Sequence, residues 1–190
     1  MQARHAAISE ALERWAYFAT VRSADRYRHA FDVDESSNGM AAFPGPASAR
    51  VRRNALFEAV ERFSLLAWWE GCAEARWCQT EWPDIEAMAI DGPFGGVTVL
   101  LITRTVSGRY AYGHAAADSF TAAFEKAMIE LARCHYILSF CVPASGTERP
   151  SELLERRMLF FATQAGYELV RERISLSRGR RMPRPVLACD

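Results

Sequence analysis

The chain has 190 residues, a length typical of one domain, and the share of hydrophobic residues (50%) and aromatic residues (12%) excludes a disordered protein. Its 23 basic residues balance 23 acidic ones, so it lacks the basic excess that broad binding to nucleic acid or to an anionic membrane requires. Because no apolar run approaches the ~20 residues that span a bilayer and the start lacks an apolar signal core, we expect a cytoplasmic protein with a single domain over residues 1–190 and no nucleic-acid or membrane partner.

The first predicted element is a helix over residues 6–22. Ile8, Leu12 and Trp15 recur there at helical spacing, which is typical of the buried face of a helix. Residues 23–48 break this pattern, because they are polar, rich in turn-forming residues and punctuated near their end by proline and glycine. We therefore expect a long connection between the first helix and the next element.

A second, longer helix is predicted from residue 47 to about residue 76. Residues 65–69 are apolar almost all round, which is typical of a helix end that is buried. A strand is predicted at 84–90, and the β-branched, apolar run at 97–103 predicts a second, buried strand. Ser107-Gly108 favours a turn, which makes residues 109–113 the expected hairpin partner.

The C-terminal part of the chain is expected to contain two helices and one strand. Asp118 or Ser119 is a suitable N-cap for a helix that runs to about residue 138. A fourth helix is predicted from residue 150 to residue 166, and the alternation at 167–176 predicts a strand. Helices and strands are mixed without strict alternation, which favours an α+β fold.

A short charged motif, ExxER, occurs once in each of the first two predicted helices. Its residues are Glu10, Glu13 and Arg14 in the first copy and Glu58, Glu61 and Arg62 in the second. Positions i, i+3 and i+4 share one face of a helix, so each copy gathers two carboxylates and one guanidinium into a patch. If the two helices face each other, four carboxylates line one cavity.

Two interpretations of this motif stay open. Crowded carboxylates repel one another unless a cation neutralises them, and magnesium is commonly held by carboxylates together with substrate phosphates. In that interpretation the arginines either contact phosphate oxygens or hold the carboxylates in position. Alternatively, Glu and Arg at this spacing are ordinary stabilising pairs on a solvated helix face, as in a third copy formed by Glu152, Glu155 and Arg156.

The order of several short segments along the chain is more informative than any of them alone. The segments are EALER (10–14), SNGMAA (37–42), ALFEAVERF (55–63) leading into Trp68-Trp69, YGHA (112–115) and a helix that contains Glu130. This order resembles the YcaO family, whose members carry two ExxER helices around an SNG segment and a later ALxExxQ helix. The resemblance covers roughly residues 6–135.

The resemblance implies a YcaO-like α+β domain with a mixed sheet packed against long helices, and an ATP- and Mg²⁺-dependent enzyme that converts a peptide backbone amide into an azoline or a thioamide. The peptide or an external sulfur donor supplies the nucleophile. It also implies a peptide or protein substrate, a homo- or hetero-oligomer such as a dimer, and a partner subunit of the YcaO, E1-like or TfuA-like kind. The implied magnesium ligands are Glu10, Glu13, Glu58 and Glu61, and the implied nucleotide-binding residues are Arg14, Asn38, Arg62 and Glu130.

The chain departs from the family pattern at several positions, among them Met128, which replaces the leucine of ALxExxQ. Ala6 occupies the place of a serine, Arg50 stands near a position that is often acidic, and Arg133 replaces the glutamine of ALxExxQ. Replacing an acid and a glutamine by arginines changes the charge expected around a nucleotide. The alternative interpretation is therefore a catalytically degenerate YcaO-like subunit that binds a peptide or a partner protein.

Overall fold

The computed structural model describes residues 2–23, 49–92, 95–142 and 153–176. The chain divides into two compact units, Met1–Arg62 and Phe63–Asp190, and the division falls within a helix. The single domain expected for the whole chain stays a prediction. Across the described ranges, no helix has the length and the apolar character needed to cross a membrane.

The first unit contains helix α1 (Gln2–Val21) and the first part of helix α2 (Ala49–Trp69). Neither helix contains Gly or Pro, and both are rich in strong helix formers such as Ala, Leu, Glu and Arg. The predicted helix at 6–22 is thus confirmed, and the second predicted helix is confirmed as far as Trp69. The apolar positions of α1 that the sequence assigned to a buried face are exposed, Trp15 most of all.

Helix α2 ends at Trp69, so the predicted extension to about residue 76 is wrong. Gly71 adopts the left-handed backbone conformation, with φ of 81°. The amide of Gly71 donates to the carbonyl of Trp68 and that of Cys72 to the carbonyl of Ala67, the pair of bonds that closes a Schellman motif. The chain that follows is therefore free to form a strand, which the sequence pattern did not predict.

Four strands form one antiparallel sheet in the order of the chain. They are β1 (Ala75–Cys78), β2 (Ile85–Asp91), β3 (Val97–Arg104) and β4 (Tyr110–Ala117). The prediction of β3 is confirmed, and the short turn before β4 contains Gly108 at φ of 81°. β4 runs four residues beyond the predicted 109–113, because its small residues pack closely under a helix although they are weak strand formers.

One face of the sheet packs against helix α3 (Phe120–Tyr136). Ala87, Val99 and Leu101 form the strand side of this core, and Ala127 and Leu131 belong to the helix side. Ser119 caps α3, because its Oγ accepts a hydrogen bond from the amide of Ala122 at 3.3 Å, as one of the two predicted caps. A π-helical segment, Ile137–Cys141, continues α3.

The opposite face of the sheet packs against the end of α2 and the last helix. Met88, Ile90 and Leu100 contribute the sheet side of this second core, and Trp68 contributes from α2. The last helix contributes three residues of its own, which are Tyr167, Val170 and Ile174. The α+β class is confirmed, and the sheet lies between two helical layers within the second unit.

The C-terminal part forms helices α4 (Leu153–Phe161) and α5 (Gln164–Leu176). The predicted strand at 167–176 is therefore wrong, as is the predicted fourth helix running unbroken to residue 166. The buried residues of α5 recur at helical spacing of three and four. Ala162 and Thr163 separate the two helices, and Thr163 Oγ1 accepts from the amide of Gly166 at 3.1 Å in the manner of an N-cap.

Candidate functional site

The first ExxER copy lies on α1, and its arginine neutralises one of its own carboxylates. Arg14 donates to Glu10 Oε1 at 2.6 Å, and both side chains are at least half exposed. Glu13 is partly buried and accepts a hydrogen bond from Ser9 Oγ at 2.9 Å. An exposed pair at this spacing stabilises a helix by only about 0.3–0.5 kcal/mol. Glu10 and Arg14 thus form a local pair, and Glu13 lies in a more sheltered position.

The second ExxER copy, on α2, is more buried than the first. Glu58, Glu61 and Arg62 are all partly buried. The Nε atom of Arg62 is buried and has no hydrogen-bond partner. A buried guanidinium nitrogen without an acceptor is costly, because it has lost its water without gaining a bond. An acceptor such as a phosphate oxygen at this arginine would recover part of that loss, so this copy fits an anionic group better than the first.

A complete protein cage for a metal is absent from the described part of the chain, where no three His, Cys, Asp or Glu side chains are close enough to hold an ion. Magnesium does not require such a cage, since it usually keeps water and binds one or two carboxylates together with substrate phosphates. The assignment of magnesium to Glu10, Glu13, Glu58 and Glu61 therefore stays a prediction. Asn38, assigned to the nucleotide, lies outside the described residues.

Glu130 lies in the second unit, on α3. Arg133 donates to Glu130 Oε1 at 2.8 Å, and the two side chains are about half exposed. Arg133 occupies the position that the resemblance assigns to glutamine, so the carboxylate of Glu130 is paired with a cation from its own helix. The nucleotide-binding role of Glu130 stays a prediction. Arg133 already compensates part of the negative charge of the Glu130 carboxylate.

The second unit also contains a polar cluster that the sequence pattern did not predict. The rings of Tyr110 and Tyr167 stack with centroids 3.8 Å apart. Tyr167 Oη donates to Glu86 Oε1 at 2.6 Å, and Arg171 donates to Tyr167 Oη at 3.2 Å. The predicted strand hid this cluster, because a strand would place Val170 on the face opposite Tyr167, whereas a helix packs both residues against the sheet. The helical spacing of Tyr167, Val170 and Ile174 is the signal that would have located it.

Burial perturbs two tyrosines around this cluster. The pKa of Tyr112 is raised by burial, and its Oη is buried without a hydrogen-bond partner. Burial also raises the pKa of Tyr167, and its hydrogen bond to the carboxylate of Glu86 raises it further. Both tyrosines therefore stay protonated well into the alkaline range, and Tyr167 acts as a donor that holds Glu86 in place.

Comparison with known proteins identifies a shared fold. No family model and no curated protein matches the chain. The structure is similar to one chain of the E. coli microcin synthetase McbBCD complex with pro-MccB17 bound, with a TM-score of 0.55 and 17% sequence identity. The likeness covers 73% of this chain and 41% of that chain. The protein therefore shares a fold with a component of that complex and spans less than half of its length.

Proposed function

We propose that the protein binds ATP and Mg²⁺ and takes part in YcaO-type modification of a ribosomally made peptide. The observation that carries the proposal is the likeness of the fold to a chain of a synthetase complex that holds pro-MccB17. The order of the ExxER and SNG segments supports it independently, because this order is a property of the sequence and does not depend on the fold.

The residues of α2 supply the chemistry that this function needs. An amide oxygen is a poor leaving group, and phosphorylation by ATP makes it a good one, so the protein chiefly positions groups and neutralises charge. In the proposal, Glu58 and Glu61 hold the magnesium that accompanies the phosphates. Arg62 donates to a phosphate oxygen, which satisfies the buried Nε atom that has no acceptor in the structure.

The proposed substrate is a peptide, and the proposed partners are other subunits. The similar structure is a synthetase complex, and a pro-peptide, pro-MccB17, is bound in it. We extend these two features to this chain as a peptide or protein substrate and a partner subunit of the YcaO, E1-like or TfuA-like kind, in a homo- or hetero-oligomer. Whether the product is an azoline or a thioamide depends on whether the peptide itself or an external sulfur donor provides the nucleophile.

A second candidate function is that of a catalytically degenerate YcaO-like subunit, which binds a peptide or a partner without using ATP. The ion pair between Arg133 and Glu130 favours it, because a guanidinium now stands where the resemblance implies a neutral glutamine. The exposed pair of Glu10 and Arg14 points the same way, since a carboxylate already paired on its own helix is a weaker magnesium ligand.

Calorimetric titration of the full chain with ATP in the presence of Mg²⁺ separates the two candidates. We expect saturable binding that Glu58→Gln and Glu61→Gln each weaken by about tenfold or more, because each removes a charged ligand worth at least 1.5 kcal/mol. The matched control is Glu155→Gln, which alters the exposed third ExxER copy and is expected to leave binding unchanged.

The absence of any binding heat for the unaltered chain would contradict the ATP-dependent function for the isolated protein. A degenerate subunit then predicts copurification with a fuller YcaO protein or with a peptide-binding protein. Equal weakening by all three substitutions would point to a general loss of charge rather than to a site on α2.

A further inference from the structure

A small cavity of about 210 Å³ opens in the second unit, where β2 begins, β3 ends and β4 begins. Asp84 lines it from just before β2, Glu86 from the start of β2, and Arg104 from the end of β3. Tyr110 and Tyr167 complete its aromatic wall. Cavities that hold whole cofactors or drug-sized ligands are larger, roughly 300–1,000 Å³. This cavity is therefore suited to a single side chain and is too small for a nucleotide.

Hydrogen bonds hold four of the lining residues in place, partly to one another and partly to Gln164 and Gly108 beside the cavity. Glu86 accepts from Tyr167 at 2.6 Å, and Tyr110 Oη donates to Gln164 Oε1 at 2.8 Å. Arg104 Nε donates to the carbonyl of Gly108 at 3.3 Å, and its guanidinium lies 5.7 Å from the centre of the Tyr110 ring. Groups that are fixed before a ligand arrives lose little conformational entropy when it binds.

Two opposite charges face this cavity without joining each other. Ile85 pairs with Thr103 in the sheet, so Asp84 and Arg104 lie at neighbouring positions on adjacent strands. No ion pair links them in the residues that the structure describes, although both line the same cavity. Asp84 offers an acceptor, and the Nη atoms of Arg104 offer donors. The cavity therefore presents an acceptor and a donor to one small ligand.

Glu86 is already paired with Arg171 at 3.7 Å, so among the described residues the opposite charges of Asp84 and Arg104 stay uncompensated at the cavity and select against ligands of either sign. A bare cation meets the guanidinium of Arg104, and a bare anion meets the carboxylates of Asp84 and Glu86. A neutral group with donors and an acceptor satisfies both walls. A primary carboxamide has this pattern, since its NH₂ group donates to a carboxylate and its carbonyl accepts from a guanidinium.

We propose that this cavity binds the side-chain carboxamide of a glutamine or asparagine in a peptide. The amide nitrogen donates to Asp84, the amide oxygen accepts from Arg104, and the methylene stem lies against Ile102 and the Tyr110 ring. The site needs no nucleotide and lies wholly within the second unit. An experiment on carboxamide binding in this cavity therefore gives a result that does not depend on whether the ExxER residues bind ATP.

The test is an NMR titration of the isotope-labelled full chain, without ATP, with the N-acetyl methylamides of glutamine, glutamate and lysine. A ligand of one side chain is expected to bind with a dissociation constant of about 1 mM. We expect the glutamine probe to shift the amide signals of Thr103, Arg104 and Tyr110 and to bind at least about fivefold more tightly than the other two, because each charged probe faces a like charge.

Two substitutions test the walls separately. Arg104→Met keeps a long side chain over the Tyr110 ring and removes the hydrogen-bond donors. Asp84→Ala removes the carboxylate acceptor but keeps the backbone carbonyl to which Thr103 Oγ1 donates. Each is expected to weaken the glutamine probe by about tenfold, the effect of losing one hydrogen bond to a charged group. Lys126→Met, an exposed charge on α3, is the matched control and is expected to change nothing.

The proposal is overturned by any of three results. The first is no saturable shift near the cavity with the glutamine probe. The second is equal or tighter binding of the glutamate or lysine probe, which would assign the cavity to a charged ligand. The third is unchanged binding in both Arg104→Met and Asp84→Ala, with signals elsewhere matching those of the parent protein.

Discussion

At the scale of single residues, two tyrosines on the same side of the sheet have opposite hydrogen-bonding states. Tyr167 donates to Glu86, whereas the hydroxyl of Tyr112 is buried without a partner. The energy of a buried hydroxyl depends on its partner, because burial removes water from it in either case. Burial nevertheless raises the pKa of both, so both contribute to how stability depends on pH.

The raised pKa of these tyrosines predicts a loss of stability in alkaline solution. The unfolded chain releases their protons near the ordinary tyrosine pKa of 10.0, while the folded chain retains them to higher pH. Their contribution is therefore fully present below about pH 10 and is lost as the pH rises above it, by at most about 1.4 kcal/mol per pH unit for each tyrosine. Urea unfolding across this range measures the loss.

Substitution of each tyrosine by phenylalanine separates its contribution to the alkaline loss of stability from the contributions of other groups. Tyr112→Phe is expected to reduce the alkaline slope of the unfolding free energy, and Tyr167→Phe is expected to reduce it as well. At neutral pH the two differ, since only Tyr167→Phe removes hydrogen bonds. It loses the bond donated to Glu86 and the bond accepted from Arg171, each worth about 1–2 kcal/mol. An alkaline slope identical to that of the parent in both variants would contradict this account.

At the scale of elements, the contact between β4 and α3 depends on a residue without a side chain. A Cβ atom placed on Gly113 would overlap the carbonyl oxygen of Ala127 and the backbone of Leu131. These are main-chain atoms of a helix, which cannot move aside as the end of a flexible side chain can. The helix therefore approaches the sheet more closely than any larger residue at this position permits.

Gly113→Ala is accordingly expected to destabilise the protein by about 1–3 kcal/mol or more, the range for overpacking a dense core. Chemical denaturation measures the change. Gly95→Ala is the control, because a Cβ there meets nothing and its cost of about 1–2 kcal/mol comes from the left-handed backbone alone. A smaller loss for Gly113→Ala than for Gly95→Ala would mean that the helix can shift away from the sheet.

The elements also show where sequence patterns mislead. The alternation in residues 167–176 predicted a strand, yet they form a helix because Tyr167, Val170 and Ile174 together cover one apolar face of the sheet. The alanines of β4 give little sign of a strand, and their small size matters only once α3 lies over them. Gly71 is a local signal for the end of α2, and the prediction of a helix to about residue 76 did not take it into account.

At the scale of the whole molecule, the proposed nucleotide site predicts linked stability. A ligand that binds only the folded state raises the free energy of unfolding by about 2.7 kcal/mol at a hundredfold excess over its dissociation constant. We expect ATP with Mg²⁺ to raise the melting temperature progressively with ATP concentration, and ATP with a chelator to lack this effect. A rise of equal size in the presence of the chelator would contradict a magnesium-dependent site.

The sequence by itself determined the α+β class, the position of β3 and the repeated charged motif, and it narrowed the cap of α3 to Asp118 or Ser119, because each of these depends on the local spacing of residues. Only the tertiary structure decided the last helix, the length of β4 and the cluster around Tyr167 and Glu86, which depend on what a segment packs against. The proposed roles of Glu58, Glu61 and Arg62 depend on both the sequence and the tertiary structure. Spacing places them on one helical face, and burial of the Arg62 Nε atom without an acceptor gives a physical reason to expect an anionic ligand there.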